Sequence, residues 1–436
     1  MADSALATAD AVRAEVRGFI DTSFDPKIPL REWLARLADS GWACPTWPTE
    51  WFGKGLSNDL AAVAFEEFRK VHAPGPPAGL SRMLAAPTII AHGNDEQKRR
   101  FIRPILVGDE AWCQLFSEPG AGSDLAGLQT RAELDGAEYV INGQKVWTSG
   151  GLGADLGMLL ARTDRDAPKH RGITYFAFDM NQPGVEVRPL RQITGESHFA
   201  EVFFTDARVP AANIIGDLNG GWGVALTTLA NERVGLGAGG SLGFSISAPG
   251  GTRVADQLDQ SVGDYIESLR TAAPAQRATG SAMAGRGAES FIKLAKETGR
   301  AGDPNVRQQL ARLYTLGQLN RWNGLRAKAA VAAGGRPGAE ASLGKLMVSH
   351  ITRLSRDVGM SIAGARGMLA GDDAPLHGSL ALQFLGAPAP SIYGGSDEIQ
   401  HNIIGERVLG LPKEPDVSKN VAFKDLRVGT QKESQS

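Results

Sequence analysis

Four stretches of this chain carry residue types at spacings that suit chemistry. The run Phe116-Ser-Glu-Pro-Gly-Ala-Gly-Ser-Asp-Leu-Ala-Gly gathers Gly120, Gly122 and Ser123. Such a loop lets backbone N–H groups and a hydroxyl approach an anionic ligand closely. Downstream, Gly143-Gln-Lys-Val-Trp-Thr-Ser-Gly-Gly offers Trp147 to cover a flat ring system, with Thr148 and Ser149 to hydrogen-bond its polar edge. In Leu229-Ala-Asn-Glu-Arg-Val-Gly-Leu, Glu232 stands three residues after Leu229 and four before Leu236. On a helix it interrupts an apolar stripe, where desolvation raises a carboxylate's proton affinity and suits it to act as a base. Last comes Ile392-Tyr-Gly-Gly-Ser-Asp-Glu, in which Ser396 suits a helix N-cap that leaves N–H groups near a phosphate. Each stretch alone also has an ordinary structural explanation: a tight turn, core packing of a tryptophan, a salt-bridged helix carboxylate.

The elements that must position these residues follow from periodicity. Residues 1–111 read as helical: Leu30, Trp33, Leu34, Leu37 and Ala38 recur at helical spacing, as do Leu60, Val63, Ala64, Phe68 and Val71. The break Gly41-Trp-Ala-Cys-Pro-Thr-Trp-Pro separates them, and Asn94 suits the cap of a polar helix beginning at Asp95. Residues 112–217 are rich in strand-like runs such as Gly157-Met-Leu-Leu-Ala and Ile173-Thr-Tyr-Phe-Ala-Phe. Asp135-Gly136 and Asn142-Gly143 are expected hairpin turns among them, which predicts an antiparallel β-barrel or sandwich. Residues 218–412 return to helix, with Trp222, Leu226, Leu229 and Leu236 as one stripe and long helical segments over 304–333 and 339–370, a bundle. Within it, glycine-rich residues 237–275 read as a long loop or insertion outside the core. Residues 413–436 read as a polar tail that frays unless a partner holds it. The fold class is α+β, helical then β then helical.

Bulk properties exclude several function classes. A formal charge of −2 over 436 residues argues against nucleic acid held by bulk electrostatics. No apolar run is long enough to span a membrane, and the N-terminus lacks the basic start and apolar core of a secretion signal. The two cysteines, Cys44 and Cys113, have no metal spacing and read as reduced structural residues; no metal site is expected, and the expected location is the cytoplasm.

Taken together, these motifs resemble those of FAD-dependent acyl-CoA dehydrogenases over nearly the whole chain. Asn402-Ile-Ile-Gly-Glu-Arg-Val-Leu-Gly-Leu-Pro, the N-terminal Gly-Trp-Ala-Cys-Pro-Thr-Trp-Pro and His92-Gly93…Glu96-Gln-Lys agree with them. The resemblance implies a helical domain, a β-domain and a four-helix bundle. It implies removal of the α-proton of an acyl-CoA thioester while hydride leaves the β-carbon for flavin N5. It further implies FAD contacts at Gln114, Phe116, Ser117, Gly122, Ser123, Trp147, Thr148, Ser149, Ser396, Asp397 and Glu398, with Arg300 contributed to a neighbouring subunit. Substrate contacts are implied at Ser123, Arg233 and Gly395.

The common signature Tyr-Glu-Gly-Thr carries the family's base, and this chain has Gly394 there. The family's oxyanion contact uses the backbone N–H of that position, which glycine keeps. A minority, including isovaleryl-CoA and long-chain acyl-CoA dehydrogenases, carries the base at the helix position of Glu232. That assigns the base to Glu232 and the oxyanion N–H to Gly394. Two motifs are reduced: Arg-x-x-Phe-Gly survives only as Gly299-Arg-Ala-Gly-Asp-Pro, and Gln-Ile-Leu-Gly-Gly as Ser361-Ile-Ala-Gly-Ala-Arg-Gly. The leading expectation is an acyl-CoA dehydrogenase of lipid metabolism passing electrons to electron-transfer flavoprotein, in a homo- or hetero-oligomer. The alternatives are a non-catalytic subunit of a heteromeric dehydrogenase and a flavin oxidase or monooxygenase on the same scaffold.

Overall fold

A computed structural model describes residues 8–237, 245–246, 253–271, 287–332, 338–339, 341–371, 373–416 and 418–426. The first helices are α1 (Ala9–Ser23), α2 (Leu30–Asp39), α3 (Asn58–Lys70), α4 (Ala86–His92) and α5 (Asp95–Val107). The short strand β1 (Gly75–Pro77) lies among them. The α2 stripe is wholly buried from Leu30 to Ala38, as its period predicts. Each such large apolar side chain contributes roughly 1.5–3 kcal/mol on burial. The expected cap at Asn94 forms as a capping box, with Gln97 N donating to Asn94 Oδ1 at 2.9 Å and Asn94 N to Gln97 Oε1 at 3.0 Å.

Seven strands form the middle sheet: β2 (Trp112–Leu115), β3 (Arg131–Asp135), β4 (Glu138–Ser149), β5 (Leu156–Arg162), β6 (Ile173–Asp179), β7 (Val185–Leu190) and β8 (Phe199–Pro210). The spatial order is β2-β5-β3-β4-β8-β7, with β6 on β5. The sheet is mixed and not purely antiparallel, because β2 runs parallel to β5. Strand β5 is buried at every residue, which accounts for its unbroken apolar run. One hydrophobic core lies between the sheet and the helices, and a second lies within the curl of the sheet.

Three local expectations are corrected by packing. Asp135-Gly136 makes a hairpin between β3 and β4, whereas Asn142-Gly143 sits inside β4 at a register shift. A Cβ on Gly143 would lie 2.5 Å from Thr130 Oγ1, so the glycine serves close approach instead of a turn. Part of residues 237–275 belongs to the core. There β9 (Ser245–Ile246) pairs with β1, and α7 (Val262–Thr271) buries Val262 and Tyr265, with Leu258 beside them, against the N-terminal helices. The tail does not fray over its described part. Ala422 bridges Pro168, Phe423 N donates to Ala167 O at 2.9 Å, and the Phe423 ring lies under the Arg162 guanidinium at 3.6 Å.

The remaining helices are α6 (Gly221–Gly237), already met in sequence by α7, then α8 (Ala288–Glu297), α9 (Pro304–Ala332), α10 (Ala341–Ala363), α11 (Ser379–Gly386) and α12 (Asp397–Ile403). The α6 stripe is also corrected. The helix is apolar on several sides, and it buries Val224, Ala225 and Thr228 while Leu226 is exposed. Glu232 therefore follows Thr228 by one turn on the face turned inward.

Candidate active site

The two glycine-containing motifs come together at the sheet. Val146 N donates to Ser117 O at 2.9 Å, and Lys145 Nζ donates to Phe116 O at 2.9 Å. Lys145 is fully buried and reaches Glu118 Oε1 at 2.8 Å. Glu118 also accepts from Gln129 N at 2.6 Å and Thr130 N at 2.9 Å, so one carboxylate ties both ends of the loop that carries Gly120, Gly122 and Ser123. Burial works against the Glu118 charge, but the Lys145 ammonium and these donors outweigh it and hold the carboxyl below its ordinary range. Arg162 braces the same loop from behind, donating to Ala126 O at 2.7 Å. Burial pulls its guanidinium down to about 10.

The surface these anchors present is polar and open. Trp147 has a left-handed backbone (φ +60°) and is 55% exposed, edge-on to Phe199 at 5.7 Å. A bulky residue in that conformation is strained, and the indole stands outward. Beside it, Thr148 is buried with its Oγ1 lacking a partner among the described residues. Gly122 has open space where a Cβ would be, and Ser123 is exposed. An outward indole next to an orphaned hydroxyl fits a flat ring with a polar edge, the isoalloxazine of FAD. Phe116 is buried and packs edge-on to Tyr175 at 6.0 Å. Ser117 and Ser149 are half-buried at the seam between the two motifs.

Glu232 is half-buried, and Gln114 Nε2 on β2 donates to its Oε2 at 3.3 Å. Arg233 follows it on α6, and its side chain lies outside the described residues. Across from α6 runs α10, which supplies a fully buried lysine, Lys345, whose Nζ donates to the carbonyl of Pro390; burial draws its ammonium below the ordinary range against the pull of Asp397 and Glu232. The Lys345 ammonium lies 6.0 Å from the Tyr393 ring centroid.

Tyr393 opens the Tyr-Gly-Gly-Ser loop. Gly394 and Gly395 take φ of +64° and +84°, a conformation that disfavours side chains, and Gln400 Nε2 donates to Gly394 O at 2.9 Å. Ser396 caps α12 by accepting from Ile399 N at 3.4 Å; Asp397 is buried and pairs with Arg353 at 2.9 Å; Glu398 is exposed. Arg300 pairs locally with Asp303 at 2.9 Å in the α8–α9 connection.

Sequence reading missed Lys345 and Arg353, which stand in an alanine- and leucine-rich helix with no motif to mark them. It quoted Glu118 and Lys145 within motifs without giving them a role. Both cysteines are buried and free, and loss of hydration pushes the thiol of Cys44 up to about 11 and that of Cys113 up to about 12. Among the described residues no helix is long and apolar enough to cross a membrane, and no cluster of three or more metal-ligating side chains occurs.

Comparison with known proteins agrees with this geometry. Residues 7–109, 113–207 and 265–409 match the models for the acyl-CoA dehydrogenase N-terminal, middle and C-terminal domains. The chain is 37% identical over 391 residues to acyl-CoA dehydrogenase IpdE1 of Mycobacterium tuberculosis, covering 88% of each chain. It is 34% identical over 219 residues to mitochondrial isovaleryl-CoA dehydrogenase of Pongo abelii, covering 49% of this chain and 52% of that one. Among solved structures, the Tcur3481-Tcur3483 steroid ACAD superposes with a TM-score of 0.68 at 27% identity, covering 93% of this chain and 98% of that one. The ChsE4-ChsE5 complex from Mycobacterium tuberculosis gives 0.66 at 28%, covering 95% and 100%. The chain belongs to the acyl-CoA dehydrogenase family, whose members are FAD-dependent enzymes that dehydrogenate acyl-CoA thioesters.

Proposed function

We propose that Glu232 is the base that takes the α-proton of the acyl-CoA, with the Gly394 N–H donating to the thioester oxygen. The observation that carries this reading is the Gln114–Glu232 hydrogen bond: a half-buried carboxylate is aimed from α6 at the strand that leads into the glycine loop. Its partial burial favours proton uptake, while the amide holds its orientation. Bound FAD supplies the acceptor for the hydride leaving the β-carbon, and Trp147, Thr148, Ser149, Gly122 and Ser123 are the residues suited to hold it. Excess negative charge on the thioester oxygen during proton removal is met by the backbone at Gly394, where no side chain competes for the space. Arg300, Arg233, Gly395, Ser396, Asp397 and Glu398 are assigned to cofactor or substrate contact on the family resemblance.

The acceptor in this reading is electron-transfer flavoprotein, the location the cytoplasm and the pathway a β-oxidation sequence. The acyl group is bulky or branched, and the named relatives of steroid type favour a steroid-linked side chain. Residues 1–111, 112–217 and 218–412 act as three domains, with 413–436 as a tail. The exposed apolar band Tyr314, Leu319, Trp322 and Leu325 on α9 suits burial against another chain, so the enzyme works as a homo- or hetero-oligomer. The non-catalytic-subunit reading draws support from the loss of the carboxylate at Gly394 and from the reduced motifs Gly299-Arg-Ala-Gly-Asp-Pro and Ser361-Ile-Ala-Gly-Ala-Arg-Gly.

Glu232→Gln decides between them. The variant should keep its FAD and bind acyl-CoA but lose anaerobic bleaching of the flavin absorbance on substrate addition. Normal bleaching by Glu232→Gln would remove the base assignment, and a wild-type chain that binds FAD only with a second subunit would favour the subunit reading.

A further inference from the structure

The sheet holds helix α6 by two rungs one turn apart. The first runs from Gln114 to Glu232 at 3.3 Å; the second is Tyr175 on β6, whose hydroxyl lies 3.4 Å from Thr228 Oγ1. Thr228 precedes Glu232 by four residues, so both side chains leave α6 on the same face. Thr88 of α4 completes the second rung, 2.9 Å from the same Thr228 oxygen. Tyr175, Thr228 and Thr88 are all fully buried. Thr228 gives its own hydrogen to Val224 O at 3.3 Å, which leaves its two lone pairs for the other two hydroxyls. Beside them, His92 Nε2 lies 2.8 Å from Thr227 Oγ1, a further link between α4 and α6.

Three hydroxyls from three elements are a costly way to fill a dry space. Phenylalanine and valine would fill the same volume with no polar group to satisfy. What the hydroxyls add is direction: a hydrogen bond fixes an angle as well as a contact, and a satisfied buried network rigidifies what it joins. Here it joins the helix carrying Glu232 to a strand whose tyrosine also packs its ring edge-on to Phe116 at 6.0 Å. Tyr175 thus meets the glycine-loop motif with its ring and the Glu232 helix with its hydroxyl. The start of α6 sits on the same strand, where a Cβ on Gly221 would come within 2.6 Å of Tyr175 N. Burial pushes the Tyr175 phenol up, so it stays protonated and able to donate.

We propose that Tyr175 is a positioning residue for the dehydrogenation: through Thr228 its hydroxyl fixes the rotation and height of α6 over the sheet, and so where the Glu232 carboxylate stands relative to the loop at Phe116. Fully buried, it reaches no reacting atom itself. The inference rests on the Glu232 reading and deepens it.

The test uses the full FAD-loaded chain and follows anaerobic flavin bleaching by acyl-CoA, per bound flavin, over a range of acyl-CoA concentrations. Tyr175→Phe and Thr228→Val each remove one hydroxyl and keep the shape. Each should lower the saturating rate about five- to tenfold, as loss of one buried neutral hydrogen bond would. The concentration giving half-maximal rate, the flavin content and the melting temperature should stay at wild-type values. The double variant should be no slower than either single one, because both cut the same link. Thr228→Ser, which restores the hydroxyl, should restore the rate.

An unchanged saturating rate in Tyr175→Phe would overturn the proposal, and so would Thr228→Ser as slow as Thr228→Val. So would a loss confined to flavin content or to half-maximal concentration, the mark of a residue that serves only the fold. Glu232→Gln, measured first, reports separately on the base assignment: bleaching by that variant removes the base, whatever the hydroxyl variants do.

Discussion

Gln114 on the β-sheet donates its amide to Glu232 on α6 at 3.3 Å, so two elements far apart in sequence share one hydrogen bond at the centre of the site. The amide stabilises the ionised carboxylate and fixes which oxygen faces inward. A hydrogen bond to a charged group contributes about 1.5–3 kcal/mol. Gln114→Leu, close in size and without a donor, should slow flavin bleaching about tenfold, in line with that range. FAD content should stay at the wild-type level. Stopped-flow bleaching with a flavin-to-protein ratio checks both, and loss of flavin would place Gln114 in the cofactor site instead.

The second prediction concerns Glu118 and Lys145. Removing the ammonium with Lys145→Met leaves Glu118 buried without its counter-charge, which costs about 3–5 kcal/mol. Because the Glu118 carboxyl is lowered in the fold, its contribution is complete above the ordinary glutamate range and disappears as pH falls through the folded value. Wild-type protein should therefore lose thermal stability on acidification below about pH 4.3, the unfolded value. Glu118→Gln should flatten that part of the curve. Calorimetric melting at several pH values measures it, and a Glu118→Gln curve as steep as wild type would contradict the assignment.

Thr148 carries the third. Its buried Oγ1 has no partner among the described residues. Thr148→Val keeps the shape and removes the hydroxyl. If the hydroxyl serves only the fold, valine should be neutral or slightly stabilising to the FAD-free protein. If it meets the flavin edge, valine should weaken FAD binding about five- to tenfold, the loss of about 1 kcal/mol for a single neutral hydrogen bond. Fluorescence titration of the FAD-free chain distinguishes the two.

The parts of this architecture that could be read from residues alone are those set by local pattern. The α2 stripe, the Asn94 cap and the strand runs all rest on neighbours in sequence, and the packing repeats them. Glu232 was legible as a candidate base, though for an imperfect reason. Helix α6 has apolar residues on more than one side, so its leucines suggested one face while the sheet and α4 selected Val224, Ala225 and Thr228. Asn142-Gly143 looked like a turn because the pair favours positive φ; only the approach of Thr130 shows that the glycine is there for lack of a Cβ. Lys345 could not have been singled out. A lysine in a long helix is ordinarily solvated, and what distinguishes this one is its burial against the Pro390 carbonyl, brought to it by the chain just before the glycine loop.

The ring of Phe423 under Arg162 has a consequence for the order in which the molecule is completed. Arg162 belongs to a strand made early in synthesis, and it braces the loop between the two cofactor motifs. The aromatic face that covers it is encoded within the last few residues of the described chain. On a ribosome, where a chain emerges from its N-terminus at about 5–20 residues per second, the middle sheet must wait for the rest of the protein before that guanidinium is enclosed. Full bracing of the loop is thereby deferred until Phe423 has been made, and a chain stopped between Pro412 and Phe423 would carry every motif of the site without the ring that covers Arg162.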